Sequence, residues 1–324
     1  MKAMVYREYG APDVLSLRDV PVPTPADDEV LVRVHASSVN DYDYHLLTGH
    51  PVINRLNAPF TPRNAVLGSD VAGRVEAVGK AVTQLRPGDE VFGDVSPCGF
   101  GAFAEYVCAR ESDLAPKPSG LTFEQAAAVP QAGGLATVAL YRGRHLGRGT
   151  RVLINGAGGG VGTFALQIAK SYGCEVTAVD RASKLDGLTS VGADHVIDYL
   201  TQDYSRDGRV YDFMIDIAMH RPLSANRRAL APGGVCSVTG GSIPRVLFVL
   251  AAGPVLSSFR DTTIRVPLWR PNDKADTAYL TGLIDQGSVV PLVDSVFPLA
   301  DLPDAFRRFA AQEHTGKIVI TMET

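Results

Sequence analysis

The sequence predicts an α/β protein in which a mostly β domain accompanies a doubly wound parallel sheet. Short β-rich runs, separated by Pro, Gly and Asp turns, fill the chain up to about residue 118. From about residue 120, strands alternate with helix-sized segments, and a strand, a glycine turn and a helix follow one another at 151–173. With 324 residues, 45% of them hydrophobic, and a formal net charge of −4, the chain fits two soluble domains and lacks the basic surface expected of a nucleic-acid partner.

The first domain is predicted over 1–118 together with 287–324. Its strands include MKAMVY, EVLVRVHASSV and FAEYVCA. The stretches VVPLVDSVFPL and GKIVITM, with a helix-like segment between them, depart from the alternating pattern and are expected to return to this domain. Residues 119–286 form the predicted second domain, whose strands are RVLIN, EVTAV, HVID, DFMIDI and GGVCSVTG.

The cysteines and the apolar segments bear on location. The four cysteines form no C-x-x-C pair, so reduced thiols and a cytoplasmic protein are expected. The start MKAMVYREYG lacks the apolar region of a signal peptide. Pro, Gly and Arg residues interrupt the apolar segment 243–259, so no membrane span is expected. That segment could serve as a lid over a lipophilic substrate, as a dimer contact or as plain core.

The glycine turn predicts a dinucleotide site. The strict G-x-G-x-x-G spacing, started at Gly156, fails at Val161, but started one residue later it reads Ala157-x-Gly159-x-x-Gly162. Between a strand and a helix, such a turn lets a diphosphate approach the main chain and the first amides of the helix. The residues predicted to bind the diphosphate are Ala157, Gly158, Gly159, Gly160, Val161 and Gly162. A tight turn without a ligand is the alternative.

The end of the next strand bears on cofactor choice. Asp180 lies close to the spacing expected for a carboxylate that binds the adenosine ribose, which favours NAD(H). Arg181 and Lys184 follow it, and such cations suit the 2′-phosphate of NADP(H). The sequence leans weakly to NAD(H) and leaves NADP(H) open.

Seven motifs, spread over nearly the whole chain, carry a family resemblance. They are VHASSVNDYD at 34–43, LGSDVAGRVEAVG at 67–79, GDEVFG at 88–93, GAFAEYV at 101–107, LINGAGGGVG at 153–162, GADHVIDY at 192–199 and GKIVIT at 316–321. With them the chain resembles the medium-chain dehydrogenase/reductase superfamily, in its zinc-free quinone oxidoreductase and enone reductase branch. The resemblance implies a GroES-like β domain and a Rossmann domain, with the active site in the cleft between them.

The resemblance also bears on zinc and on the reaction. Zinc-dependent relatives have a thiolate at the position of Asn40 and a His-Glu pair at Ser69-Asp70, and neither Asn nor Ser is a good zinc ligand. Without zinc, we expect hydride transfer from NAD(P)H to a quinone, enone or enal, because the charge that develops is delocalised. A zinc-free alcohol dehydrogenase or carbonyl reductase is one alternative, and a nonenzymatic dinucleotide-binding protein is another.

Asn40 and Asp43 are the catalytic candidates that the resemblance implies beside the nicotinamide, and Tyr42, where the family often has other residues, is a third candidate chosen for its chemistry. Asn40 could orient the nicotinamide ribose or a substrate oxygen, or its amide could bond its own backbone. Asp43 lies beside it in the same motif. Tyr42 is the preferred proton donor to the developing oxyanion, and a packed aromatic ring is the alternative.

The resemblance extends to further cofactor contacts and to assembly. Thr137 falls where relatives place a group near the nicotinamide, with packing of its helix as the alternative. Tyr199 either stacks near the adenine or packs against the edge of the sheet. Thr239, Gly240 and Gly241 end a strand at the edge where open α/β sheets bind ligands. DTTIRVPL at 261–268 is predicted to be an edge strand. The corresponding strand pairs across a two-fold axis in relatives, so a homodimer is expected.

Overall fold

The computed structural model describes residues 1–56, 58–143, 146–241, 243–258 and 261–322. The chain folds into two compact units. Unit 1 comprises Met1–Ala132, Pro271–Thr277 and Pro291–Thr324, and unit 2 comprises Gly133–Arg270 and Ala278–Val290. The domain boundaries predicted at 118/119 and 286/287 stay predictions, because compactness does not test where an independently folding domain ends.

Unit 1 is built on a mixed, mostly antiparallel β-sheet. Its elements are β1 (Lys2–Val5), β2 (Ser16–Asp19), β3 (Glu29–Ser38), α1 (Asp41–Thr48), β4 (Asp70–Val78), β5 (Glu90–Asp94), β6 (Tyr106–Arg110), β7 (Leu114–Pro116), α2 (Phe123–Ala127), β14 (Val293–Pro298), α9 (Leu302–Ala311) and β15 (Lys317–Thr321). Seven strands pair in the order β14-β15-β3-β4-β5-β7, with β6 also on β3, and β1 pairs with β2. The last two strands of the chain, β14 and β15, pair into this sheet beside β3.

β3 lies at the centre of unit 1 because apolar side chains alternate along it and bury one face. Its end, at Ser37 and Ser38, pairs with the end of β15 and with the start of β4. Phe103 and Phe306 meet edge to face in the core, with ring centroids 5.9 Å apart. This packing brings residues from the two ends of the sequence together beside the start of α1.

Unit 2 is a parallel sheet with helices between the strands. Its elements are β8 (Arg151–Asn155), α4 (Gly160–Ser171), β9 (Glu175–Asp180), α5 (Ala182–Ser190), β10 (His195–Asp198), β11 (Tyr211–Asp216), α6 (Leu223–Ala229), β12 (Leu230–Val238), α7 (Ile243–Ser258) and β13 (Thr262–Arg265). The strand order is β10-β9-β8-β11-β12-β13, and every pair is parallel. This is the predicted doubly wound sheet, and the predicted edge strand at 261–268 is confirmed by β13.

Two helices carry the chain between the units. α3 (Pro130–Ala139) begins in unit 1 and ends in unit 2, and α8 (Lys274–Asp285) does the same. Pro130 starts α3, at a position where its missing N–H costs nothing.

The apolar segment 243–259 forms α7 over its described part, and Phe259 lies outside the described residues. Leu247, Phe248 and Leu250 are about half exposed, whereas Val249 is buried. Arg245 donates a hydrogen bond to the Met219 carbonyl. Among the described residues, no helix combines the length and the apolar character that crossing a bilayer requires.

Candidate functional site

The turn at 156–159 joins β8 to α4 and is shaped for an anion. Gly156 has φ +90°, and a Cβ on Gly162 would lie 2.4 Å from the Gly156 carbonyl oxygen, so both positions require glycine. Gly159 is the N-cap and has no side chain to cap the helix, and the nearest atom to a Cβ built there is 3.8 Å away. The first amides of α4, at 160–162, therefore have no intrahelical acceptor and are available to a phosphate.

The Asp180 carboxylate turns back onto this loop. Its Oδ2 accepts the N–H of Gly158 at 2.7 Å, and its Oδ1 accepts the N–H of Arg181 at 2.8 Å. The Lys184 ammonium lies 3.9 Å from Oδ1, and both side chains are buried. A Cβ on Gly158 would lie 2.6 Å from the Lys184 side chain, so the turn closes around this pair, with Ala157 fully buried beside it. The carboxylate stabilises the loop, and each of its oxygens already accepts one backbone N–H.

Arg181 and Tyr199 meet at the carboxyl edge of the parallel sheet. The Arg181 Nε donates to the Tyr199 hydroxyl at 3.0 Å, and the Tyr199 ring stacks on His220 with centroids 5.5 Å apart. They follow the neighbouring parallel strands β9 and β10, whose carboxyl ends lie side by side. The guanidinium and the phenol therefore stand where open α/β sheets bind ligands.

Two predicted cofactor residues carry unpartnered hydroxyls. The Oγ1 atoms of Thr137, on α3, and of Thr239, after β12, are buried and have no hydrogen-bond partner in the described part of the chain. Gly240 permits close packing, since a Cβ there would lie 2.3 Å from the Ile217 carbonyl oxygen, and Gly241 has φ +94°. An unpartnered buried hydroxyl is costly unless a ligand completes it, so these threonines and the uncapped helix end fit a dinucleotide.

In unit 1, the predicted catalytic residues Asn40 and Asp43 lie inside a buried polar cluster. The Asn40 amide nitrogen donates to the Ser69 hydroxyl at 3.0 Å and to Asp70 Oδ2 at 2.8 Å. Asp43 accepts from the backbone N–H groups of Asn40 and Gly68 and from the Ser69 hydroxyl. Both side chains are buried, with Asp43 at 0% exposure. The Asn40 amide is therefore bonded to side chains of this cluster, and its contact with the ribose or a substrate oxygen stays a prediction.

Lys317 and Asp70 complete this cluster, and sequence reasoning missed the lysine. The Lys317 ammonium donates to the Val39 carbonyl at 2.9 Å, to the Asn40 side-chain oxygen, and to Asp70 Oδ2 at 3.5 Å. Asp70 also accepts from the Ser38 hydroxyl at 2.7 Å. The lysine was quoted only as part of the motif GKIVIT, and nothing in the local pattern marks it as buried.

Asp94, at the end of β5, is a further buried carboxylate that sequence reasoning missed. Burial, and next to it the Asp70 carboxylate, raises the pKa of both Asp43 and Asp94 from 3.8 to about 7. Burial lowers the pKa of Lys317, against the attraction of Asp70, Asp43 and Asp94. The cluster therefore contains more acid groups than cations, and protonation of a carboxyl relieves part of the repulsion.

Tyr42 lies on the first turn of α1 and is the exposed member of the predicted set. It is 44% exposed, and its ring contacts Phe100 edge to face with centroids 5.3 Å apart. Burial of the hydroxyl, then the Asp94 and Asp43 carboxylates, raises the pKa of Tyr42 above its usual value. At neutral pH the phenol is therefore protonated and can donate a proton.

Unit 2 also contains a fully buried carboxylate, Asp216, at the end of β11. Its Oδ1 accepts from the Asn155 amide at 2.7 Å and from the N–H of Met219 at 2.9 Å. Its Oδ2 accepts from the Asn226 amide at 2.6 Å. Met219 has φ +47°, and its side chain packs against Gly241, so this network shapes the loop beside the cofactor residues.

In the ranges that the structure describes, no group of three or more His, Cys, Asp or Glu side chains is arranged to hold a metal ion. The absence of zinc stays a prediction from the residue types at 40, 69 and 70.

The comparisons with known proteins cover nearly the whole chain. Residues 26–119 match the family described as alcohol dehydrogenase GroES-like domain, and residues 191–320 match the family described as zinc-binding dehydrogenase. The chloroplast envelope quinone oxidoreductase homolog of Arabidopsis thaliana is 32% identical, over 99% of this chain and 98% of its own. The NADPH-dependent alkenal/one oxidoreductase of the same plant, a chloroplast protein, is 34% identical, over 99% of this chain and 79% of its own.

A solved structure agrees with these relatives. The quinone oxidoreductase from Coxiella burnetii superposes with a TM-score of 0.87 at 27% identity, over 100% of this chain and 99% of its own. The predicted fold class, with its GroES-like and Rossmann parts, is confirmed.

Proposed function

The chain belongs to the medium-chain dehydrogenase/reductase superfamily, in the branch of the quinone oxidoreductases and enone reductases, and from this premise we propose that it transfers hydride from NAD(P)H to a quinone or an α,β-unsaturated carbonyl without zinc. The uncapped glycine turn before α4 carries the proposal, because it is an anion site in a chain similar along its length to such reductases. The bound nicotinamide supplies the hydride.

The side chains of the protein bind, orient and donate a proton. The amides at 160–162 would hold the diphosphate, and Thr137 and Thr239 would bond the cofactor through their unpartnered hydroxyls. The Tyr42 phenol would protonate the oxyanion that forms on the acceptor. Asn40 and Asp43, the candidates predicted near the nicotinamide, are buried, so they would influence the reaction from within the buried cluster.

The test is NAD(P)H oxidation with a panel of simple quinones, alkenals, saturated aldehydes and ketones, with product analysis and metal analysis. We expect turnover of quinones and of conjugated C=C bonds, unaffected by a chelator. Tyr42→Phe should lower kcat by about 100-fold at unchanged cofactor affinity. Reduction of C=O bonds alone would favour the alcohol dehydrogenase alternative, and dinucleotide binding without turnover would favour the nonenzymatic one.

We propose NADPH as the preferred cofactor. The Asp180 carboxylate, which favoured NAD(H) at the level of sequence, is already bonded to Gly158 and Arg181 and lies beside the Lys184 ammonium. Its charge is thus largely offset, and a 2′-phosphate would meet the guanidinium of Arg181 at the same edge.

Affinity for the oxidised cofactors measures this preference directly. Calorimetry should give a Kd for NADP⁺ about tenfold below that for NAD⁺, and Arg181→Ala should remove most of the difference. Lys170→Met is the matched control, because Lys170 pairs with Asp194 at the opposite end of α4. Tighter binding of NAD⁺ by the wild type would contradict the proposal.

A homodimer, a cytoplasmic location and a lipophilic substrate complete the proposed function. The edge position of β13 supports pairing with a second copy, and the half-exposed Leu247, Phe248 and Leu250 of α7 support an apolar contact with substrate. The four unpaired cysteines support a reducing compartment. Sedimentation of the protein as a monomer at micromolar concentration would contradict the proposed homodimer.

A further inference from the structure

Lys317 is an ammonium buried against three oxygen atoms. It begins β15, which pairs antiparallel with β3, and the residue is 4% exposed. The three acceptors are the Val39 carbonyl, the Asn40 side-chain oxygen and Asp70 Oδ2. A lysine ammonium has three N–H donors, so each donor has an acceptor. Such a group is costly to bury, and a structure retains it only where the contacts compensate.

These contacts fix the orientation of the Asn40 amide. An ammonium can only donate, so the oxygen of the amide faces Lys317 and the nitrogen faces Ser69 and Asp70. Because every polar atom of the amide is bonded, the side chain has one orientation.

Asn40 is also the N-cap of α1, and its backbone N–H bonds the Asp43 carboxylate. Lys317 thus bonds both residues that lead into the helix, Val39 through its backbone and Asn40 through its side chain. The first turn of α1 carries Tyr42, two residues further on. A shift of the N-cap moves the whole first turn, since the helix is rigid over this distance.

We propose that Lys317 is a positioning residue for the reaction, which, through Asn40, holds the start of α1 and with it the Tyr42 hydroxyl at the place of proton delivery. This inference rests on the proposed function. It assigns a role in the reaction to a lysine that lies 277 positions after Asn40 in the sequence.

The experiment separates positioning from simple charge balance. Lys317→Met removes the cation, and Lys317→Met combined with Asp70→Asn removes both charges. The double variant should regain much of the lost stability, because no uncompensated carboxylate remains at 70. Its kcat should nevertheless stay about 10- to 100-fold low, with the KM for cofactor within about twofold of wild type, because the Asn40 oxygen still lacks its donor. Recovery of kcat together with stability would overturn the proposal.

A non-additivity test ties the effect to Tyr42. In a Tyr42→Phe background, the double substitution at 70 and 317 should lower kcat by less than about threefold, because the hydroxyl that it misplaces is already gone. The same loss in both backgrounds would overturn the proposal.

Lys117 supplies a matched control within unit 1. Its side chain is 5% exposed, lies 3.2 Å from Glu90, and donates to the Leu121 carbonyl, away from α1. Lys117→Met should cost stability and leave kcat unchanged. A wild type that reduces no acceptor would defeat the proposed function itself, whereas an active wild type with a fully active double variant would defeat this inference alone.

Discussion

Asp70 in unit 1 and Asp216 in unit 2 are both carboxylates with 0% exposure, and the two units stabilise them differently. Asp70 accepts from three neutral donors, the Ser38 hydroxyl, the Asn40 amide and the Gln131 N–H, and it also lies 3.5 Å from the Lys317 ammonium. Two further buried carboxyls, Asp43 and Asp94, lie near it. The hydrogen-bond partners of Asp216 in the described chain are neutral amides, two from Asn side chains and one from the backbone. The first site depends on a balance of charge, and the second depends on the geometry of its donors.

This difference predicts which kind of substitution should destabilise each unit most. A carboxylate compensated by one cation is left strongly uncompensated when that cation is removed. A carboxylate with several neutral donors loses one bond and retains the others. Unit 1 should therefore respond to charge and pH, and unit 2 to the loss of single hydrogen bonds.

The largest expected effect is that of Lys317→Met on stability. Removal of the ammonium leaves Asp70 buried without its counter-ion, and the free energy of unfolding of unit 1 should fall by about 3–5 kcal/mol. Urea unfolding at pH 7, followed by a probe in unit 1, measures it. A loss below about 1 kcal/mol would mean that the neutral donors of Asp70 suffice without the ammonium, as those of Asp216 do, and the comparison would fail.

The next effect is a dependence of stability on pH. The pKa of Asp43 and Asp94 rises from 3.8 in the unfolded chain to about 7 in the fold. The folded state therefore binds protons that the unfolded state releases, and this contribution is fully present below pH 4 and is lost as the pH rises through 7. Between about pH 5 and pH 8 the free energy of unfolding should fall by about 2–3 kcal/mol for each of these carboxyls.

Urea unfolding at several pH values checks the slope, and Asp94→Asn should reduce it. Asp212→Asn in unit 2 is the control: although burial opposes it, bonding to Arg151 lowers the pKa of Asp212, so its contribution is lost only under acid conditions. An Asp94→Asn slope equal to that of the wild type would remove Asp94 as a source of the pH dependence.

The smallest effect is expected from Asn155→Ala. Asp216 loses one amide donor and retains the N–H of Met219 and the amide of Asn226, so the cost should be about 1 kcal/mol. Thermal unfolding of unit 2 measures it. A loss of unfolding free energy as large as that of Lys317→Met would show that one buried amide stabilises Asp216 as much as the ammonium stabilises Asp70.

The parts of the site that depend on neighbouring residues could be predicted from the sequence. The glycine turn is one example, because strand, turn and helix follow one another within 151–173. Asp180 was placed correctly at the end of its strand, but the direction of its carboxylate depends on Gly158 and Lys184 and on their packing. Spacing alone carries no information about that direction.

The buried cluster of unit 1 could not be predicted in the same way. Asn40, Asp70 and Lys317 meet only because β3, β4 and β15 are neighbours in one sheet, and the lysine is 247 residues from Asp70. The resemblance pointed to Asn40 and Asp43 as groups beside the nicotinamide. It gave no account of the ammonium that bonds the side-chain oxygen of Asn40.

The position of Lys317 in β15 has a consequence for biosynthesis. Ribosomes deliver the acidic residues of unit 1 first, and all of unit 2 must be translated before the lysine emerges. Until then the nascent sheet lacks both its neighbour strand and the positive charge that its interior needs. The first 132 residues should therefore complete their folding only after β15 has been synthesised. Unit 2 should fold before them.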